Sequence, residues 1–142
     1  MNTQENIFSL LQASKLRLTR ARKAFVEVLS VASAPLSVPQ ILAGLKERSI
    51  EVNKTTVYRE LERFRALGIV ENFQLGDRKQ YYELSSRDHH HHLICMSCES
   101  VEDIDMDEKL LTVGERKATK EKQFTILRHS LEFFGLCRQC QV

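Results

Sequence analysis

Four cysteines in two matched pairs constrain this chain more than any other feature, for Cys95-Met96-Ser97-Cys98 and Cys137-Arg138-Gln139-Cys140 are both CxxC. Each pair can turn a knuckle that aims two thiolates at one ion, and two knuckles complete the tetrahedral sulfur set of a structural zinc. The 38 residues between the pairs exceed the spacing of an ordinary zinc ribbon. A helix and strands must therefore be inserted, with the ion tying their ends together. Four thiolates leave no open position for a substrate. A redox pair or buried free thiols are the competing uses of the same residues. Structural disulfides fit poorly, because the chain shows neither a signal peptide over Met1 to Leu11 nor an apolar run near the roughly 18 residues that span a bilayer. Such a chain is expected in the cytoplasm, without a membrane association, where thiols stay reduced.

His89-His90-His91-His92 leads directly into Leu93-Ile94-Cys95. On a strand, alternation sends His90 and His92 to one face and His89 and His91 to the other, so one run can serve two metal sites. The plainer reading is a solvated polar run. On the first face Glu83 and Asp103 are the expected carboxylates, a mixed nitrogen and oxygen set suited to Fe²⁺, Mn²⁺ or Zn²⁺. His129 is the remaining histidine of the chain and the candidate for the second face. Asp103, Asp105, Asp107 and Glu108 form an acidic stretch that either supplies ligands or is a solvated helix start favoured by the dipole.

The charge is divided along the chain. Residues 1–80 carry 13 Lys+Arg against 8 Asp+Glu, a balance of +5, whereas the remaining residues carry 8 against 11, a balance of −3. A basic module facing a polyanion and an acidic module binding cations would give this asymmetry. Within the basic part, Ile7, Leu10 and Leu11 have helical spacing, and Thr19 precedes a second apolar face of Ala24, Phe25, Val28 and Leu29. Ser37 and Gln40 have capping-box spacing around Pro39 and open a third helix. Asn53 can cap a fourth, whose Val57, Leu61 and Phe64 face inward until Gly68. Two apolar runs around Gly76-Asp77 then read as a hairpin ending at Leu84.

Helices followed by a hairpin make a winged helix-turn-helix over residues 1–84. Residues 85–142 read as a second, small α+β domain, with strands at His89 to Cys95 and Val101 to Ile104, a helix from about Asp107 to Lys122, and strands at Phe124 to Leu127 and Leu131 to Phe134. The expected fold class is therefore α+β. The fourth helix would enter a DNA major groove by its start, where Lys54, Thr55, Thr56, Tyr58 and Arg59 offer cations, hydroxyls and an aromatic edge. Arg17, Arg20, Arg22 and Lys23 add charge near the second helix, and Arg78 and Lys79 at the hairpin tip could meet phosphates. An amphipathic helix with a solvated charged face is the bland alternative.

Taken together, Leu18 to Arg22, Thr55 to Arg59, Gly68-Ile69-Val70, Tyr82-Glu83-Leu84, His89 to Cys98 and His129 through Cys140 resemble the ferric uptake regulator superfamily over nearly the whole chain. The resemblance implies a homodimeric repressor of metal-homeostasis genes, binding palindromic double-stranded DNA when a regulatory metal is loaded. By position it implies base contacts from Tyr58, phosphate contacts from Arg59 and a minor-groove contact from Arg17. Cys95, Cys98, Cys137 and Cys140 would hold structural Zn²⁺. Glu83, His90, His92 and Asp103 would form the regulatory site, and His89, His91 and His129 a second site.

Three positions depart from the pattern. Pro35 or Leu36 stands where many relatives have a histidine, with Glu71 as the candidate substitute. Leu84 replaces a cysteine of zinc sensors, and Leu110 falls near the glutamate that completes the second site. Two other functions compete with metal-responsive repression. One is peroxide sensing by the same fold. The other is zinc-dependent hydrolysis with Glu83 as base, which is disfavoured because the chain has no HExxH motif.

Overall fold

The computed structural model describes residues 3–75, 79–85, 90–127 and 129–141, in two compact units, Met1–Asp88 and His89–Val142. In the first unit, α1 (Thr3–Ala13), α2 (Arg20–Val31), α3 (Val38–Glu47) and α4 (Lys54–Ala66) precede an antiparallel hairpin of β1 (Val70–Leu75) and β2 (Lys79–Leu84). Local chemistry sets the helix starts. The Thr19 side chain accepts from the Arg22 N–H, Ser37 and Gln40 form a complete capping box, and Asn53 accepts from the Thr56 N–H. Gly68 sits at φ 72, and the Ile69 N–H reaches back 2.8 Å to the Phe64 carbonyl, so the chain leaves α4 directly into β1.

One face of each helix enters a shared core. Leu11, Phe25, Val26, Leu29, Ile41, Leu45, Val57, Leu61 and Phe64 are all buried, and Val70, Tyr82 and Leu84 join them from the hairpin. Phe25 and Phe64 meet edge to face with ring centres 5.3 Å apart. Leu36 exchanges two backbone hydrogen bonds with Tyr82, at 2.9 and 2.8 Å, which fastens the hairpin to the segment before α3. This is a winged helix. Its tip, Gly76 to Arg78, lies outside the described residues, and with it the expected phosphate contact of Arg78.

Arg22 has a partner that its place in the sequence did not reveal. Its Nε and Nη2 donate to both oxygens of Glu60 on α4 at 2.9 and 3.1 Å, and its Nη1 donates to the Arg17 carbonyl at 3.0 Å. Both side chains of the pair are mostly buried, and Glu60 raises the pKa of the guanidinium further. Arg22 is thus a brace between α2 and α4 that also holds the backbone at Arg17. Three of its N–H groups are thus engaged within the chain, a structural use beside the DNA contact expected from the sequence.

The second unit is a three-stranded sheet in the order β4-β3-β5, with β3 at His91–Cys95, β4 at Val101–Ile104 and β5 at Glu132–Gly135. Helix α5 (Lys109–Lys122) lies between β4 and β5 in sequence, and Gln123 ends it in the left-handed region at φ 50. Phe124 to Leu127, expected as a strand, is not one. The segment has apolar residues but no strand to ladder with, and Phe124 and Leu127 stand 61% and 91% exposed. Among the described residues of this unit, the buried side chains are His91, His92, Ile94 and Cys95. No helix among the described residues is long and apolar enough to cross a membrane.

Replacing Arg22 with alanine should leave Glu60 as a largely buried carboxylate without its main counter-charge. A hydrogen bond to a charged group is worth about 1.5–3 kcal/mol, so Arg22→Ala is expected to cost the first unit roughly that much in urea unfolding. A variant as stable as the parent would show that the brace carries no weight.

Candidate metal centres

The parallel pairing of β3 and β5 sets Cys95 opposite Gly135, so Cys137, two residues further on, arrives beside Cys95. Beyond β3 the chain turns tightly: the Glu99 N–H donates to the Cys95 carbonyl and Glu99 takes φ 62, bringing Cys98 back over the strand end. The short helical turn Arg138–Cys140 does the same for the second pair. All four sulfurs lie within 4.8 Å of one another, and Cys98 Sγ is 3.7 Å from Cys137 Sγ. Zinc–sulfur bonds of about 2.3 Å put tetrahedral sulfurs about 3.8 Å apart, while a disulfide needs about 2.05 Å. The set fits one zinc ion.

The electrostatics point the same way. The Cys95 sulfur accepts the N–H groups of Cys137 and Cys98 at 3.4 and 3.5 Å, which together bring its thiol down to about 6. The Ser100 hydroxyl and N–H lower Cys98 as well. For Cys140 the Ser97 hydroxyl pulls downward, but Cys137, Cys95, burial and Cys98 together push the thiol up to about 11. Four negative sulfurs cannot share so small a volume by themselves. A dication at the centre removes the conflict, since a coordinating thiol is deprotonated outright.

The histidine run feeds two further clusters on opposite sides of β3. His90 Nε2 and His92 Nε2 stand 3.6 and 3.7 Å from the same oxygen, Asp103 Oδ1, and the two rings pack at right angles with centres 4.9 Å apart. Asp103 is there because β4 pairs it with His92. These separations lie within a few tenths of the roughly 3.4 Å edge of a tetrahedron with bonds of about 2.1 Å. Glu83, the other expected ligand, belongs to the first unit, where it lies buried on β2 directly across the hairpin from Glu71. Pro35 is buried and Leu36 is tied to Tyr82, so neither offers a ligand atom at the place of the missing histidine.

On the other side of β3, His91 Nε2 lies 2.5 Å from Glu108 Oε1, and His129 Nε2 lies 3.5 Å from the same oxygen. The two rings stack 5.6 Å apart, and the donor atoms of the three residues fall within 4.8 Å of one another. Glu115 meets His129 Nδ1 from the far side of that ring. His89, expected here, lies outside the described residues. Glu108 belongs to the acidic stretch that the sequence offered as possible ligands, whereas Glu115 was not singled out. The available signal was their spacing, seven residues apart at the start and second turn of α5, which puts both on one helical face. Leu110, at the position expected for the carboxylate, is 86% exposed.

In the first unit the start of α4 is open to solvent. Lys54, Thr55, Tyr58 and Arg59 are exposed, with Lys54 Nζ 5.9 Å from the Tyr58 ring centre. Thr56 is committed to the cap, its hydroxyl donating to Asn53 Oδ1 at 3.0 Å. Arg17 is also exposed.

Comparison with known proteins identifies the family and the fold. The family described as "Ferric uptake regulator family" matches residues 13–134. The ferric uptake regulation protein of Bacillus subtilis is 35% identical over 143 residues, covering 98% of this chain and 95% of the relative. The peroxide-responsive repressor PerR of Staphylococcus aureus is 28% identical, covering 97% and 90%. Among solved structures, that of the Helicobacter pylori ferric uptake regulator, a protein with three functional metal binding sites, superposes with a TM-score of 0.83 at 21% identity, covering 99% of this chain and 95% of that one.

If the four sulfurs hold zinc, a thiol-alkylating reagent should label none of them in the metal-loaded protein and all of them after chelation and unfolding. Cys98→Ala should release the ion and lose the circular dichroism contribution of the second unit. A stable, zinc-free second unit would remove the structural role.

Proposed function

The chain belongs to the ferric uptake regulator family of metal-responsive regulators, and from that membership we propose that it represses metal-homeostasis genes by binding palindromic DNA as a cytoplasmic homodimer. The observation that carries this reading is the occurrence of an exposed, polar start of α4 together with separate cysteine and histidine–carboxylate donor sets on the same chain. Zinc on Cys95, Cys98, Cys137 and Cys140 stabilises the second unit. The sensed ion, Fe²⁺, Mn²⁺ or Zn²⁺, is held by His90, His92 and Asp103, with Glu83 as the remaining ligand carried over from the sequence. Glu71, on the same hairpin face as Glu83, is the substitute for the missing histidine. Two like charges directly opposite on a hairpin are unfavourable without a cation.

These residues act by binding and orienting, with no catalytic step. An ion that ligates both the end of the hairpin and the start of β3 favours one arrangement of the two units, and two reading helices of a dimer then match two major grooves. Tyr58 and Thr55 read base edges, Arg59 and Lys54 meet phosphate, and Arg17 reaches the minor groove from the backbone held by Arg22. A second copy is the natural cover for the apolar side chains that the second unit exposes, Leu110 and Val113 on α5 and Phe133, Phe134 and Leu136 at β5.

The deciding measurement is retention of genomic DNA fragments by the protein under anaerobic conditions, with no added metal and with each of the three ions. Retention of a palindromic set with one ion supports the reading, and absence of specific retention under every condition overturns it. His90→Ala should weaken metal-dependent retention by about 5–150-fold, the usual span of allosteric coupling, while leaving the cysteine-bound zinc unchanged. Tyr58→Ala should weaken retention without altering metal loading. Leu110→Asp combined with Val113→Asp should shift the protein towards a monomer in light scattering.

A further inference from the structure

Helix α5 contributes no buried side chain, yet it presents Glu108 and Glu115 to the two histidines. The two carboxylates meet different nitrogens of one ring. Glu115 faces His129 Nδ1, and Glu108 faces His129 Nε2 at 3.5 Å. An ionised carboxylate only accepts hydrogen bonds, so the nitrogen facing Glu115 must carry the proton. In a neutral imidazole this leaves the lone pair on Nε2, directed at an oxygen that is itself an acceptor. Two acceptors at that separation repel unless a second ring proton or a metal cation lies between them. Glu108 Oε1 stands at the same time beside His91 Nε2, so a cation there would meet two imidazole nitrogens and one carboxylate oxygen.

We propose that Glu115 is a positioning residue for this second site: it accepts the Nδ1 proton of His129 and so presents Nε2 to a divalent ion shared with His91 and Glu108. The proposal rests on the reading of this cluster as a metal site and adds a division of labour within it. Glu108 is a ligand, and Glu115 acts through the histidine. Its place in the fold explains why it can do so. Seven residues bring Glu115 two turns along α5 and back to the same face, where it meets the ring nitrogen of His129 that Glu108 does not. Ligating histidines commonly use their second nitrogen in this way, and loss of such a partner costs about 10–100-fold in metal affinity.

The test uses the full-length protein with its cysteine zinc retained and with ¹⁵N-labelled histidine. Zn²⁺ is added from a buffered chelator, and the ring nitrogens of His129 are followed by magnetic resonance. The expected signature is ligation through Nε2 with Nδ1 remaining protonated. Glu115→Ala should lower the affinity read from His129 by about 10–100-fold, and Glu115→Gln, whose amide oxygen still accepts from Nδ1–H, should recover most of it. Glu108→Ala should abolish ligation at His129 with no rescue by glutamine. Ligation through Nδ1, an unchanged affinity in Glu115→Ala, or a loss in Glu115→Gln equal to that in Glu115→Ala would overturn the proposal. DNA retention measured on the same samples separates the two ideas. Metal-independent retention combined with the expected Glu115 series would overturn the regulatory reading and leave the positioning role standing.

Discussion

The second unit has almost no apolar core and gathers four cysteines instead, where the first is held by buried hydrocarbon. Its buried side chains among the described residues are two histidines, a cysteine and one isoleucine, too little apolar surface to offset the ordering of about fifty residues. The cysteine cluster supplies what is missing, because it joins the end of β3 to the chain just past β5 and so closes the sheet at the point where the parallel pairing would otherwise fray. Small domains with weak cores commonly rely on metals in this way, and their folding free energy is then largely their binding free energy. The same weakness leaves apolar residues on α5 and β5 facing solvent.

The first unit shows the opposite economy. Every helix contributes nearly fully buried residues to one core, the starts of α2, α3 and α4 are closed by side-chain caps, and the hairpin is fastened by Leu36 and Tyr82. A rigid scaffold of this kind can hold the start of α4 in a fixed presentation, as groove reading requires. The Arg22–Glu60 pair extends that rigidity to Arg17, since the same guanidinium that grips α4 also holds the Arg17 carbonyl.

How much of this was legible in the sequence follows from how local the signals are. Thr19, Ser37, Gln40, Asn53 and Gly68 act within a few residues of themselves, and the structure uses each as its chemistry suggests. The doubled CxxC is likewise self-announcing. What stayed hidden depends on partners far along the chain. Arg22 and Glu60 are 38 residues apart, so a basic residue beside a basic helix read as a DNA contact. Phe124 to Leu127 has strand-like residues but no strand beside it. Glu108 stood in an acidic stretch with no partner to single it out and Glu115 on a mostly basic helix, because only the fold carries His91 and His129 to them.

The alternation of β3 accounts for how so short a segment serves two centres. Adjacent residues on a strand face opposite ways, so His91 and His92 are divided between them by geometry alone, one towards α5 and one towards Asp103. The two clusters are therefore mechanically joined through a single peptide unit. Any ion that draws His91 and α5 together also fixes the strand from which His90 and His92 project. The cysteine cluster gathers at the other end of the same strand, so each of the three donor sets draws at least one residue from β3.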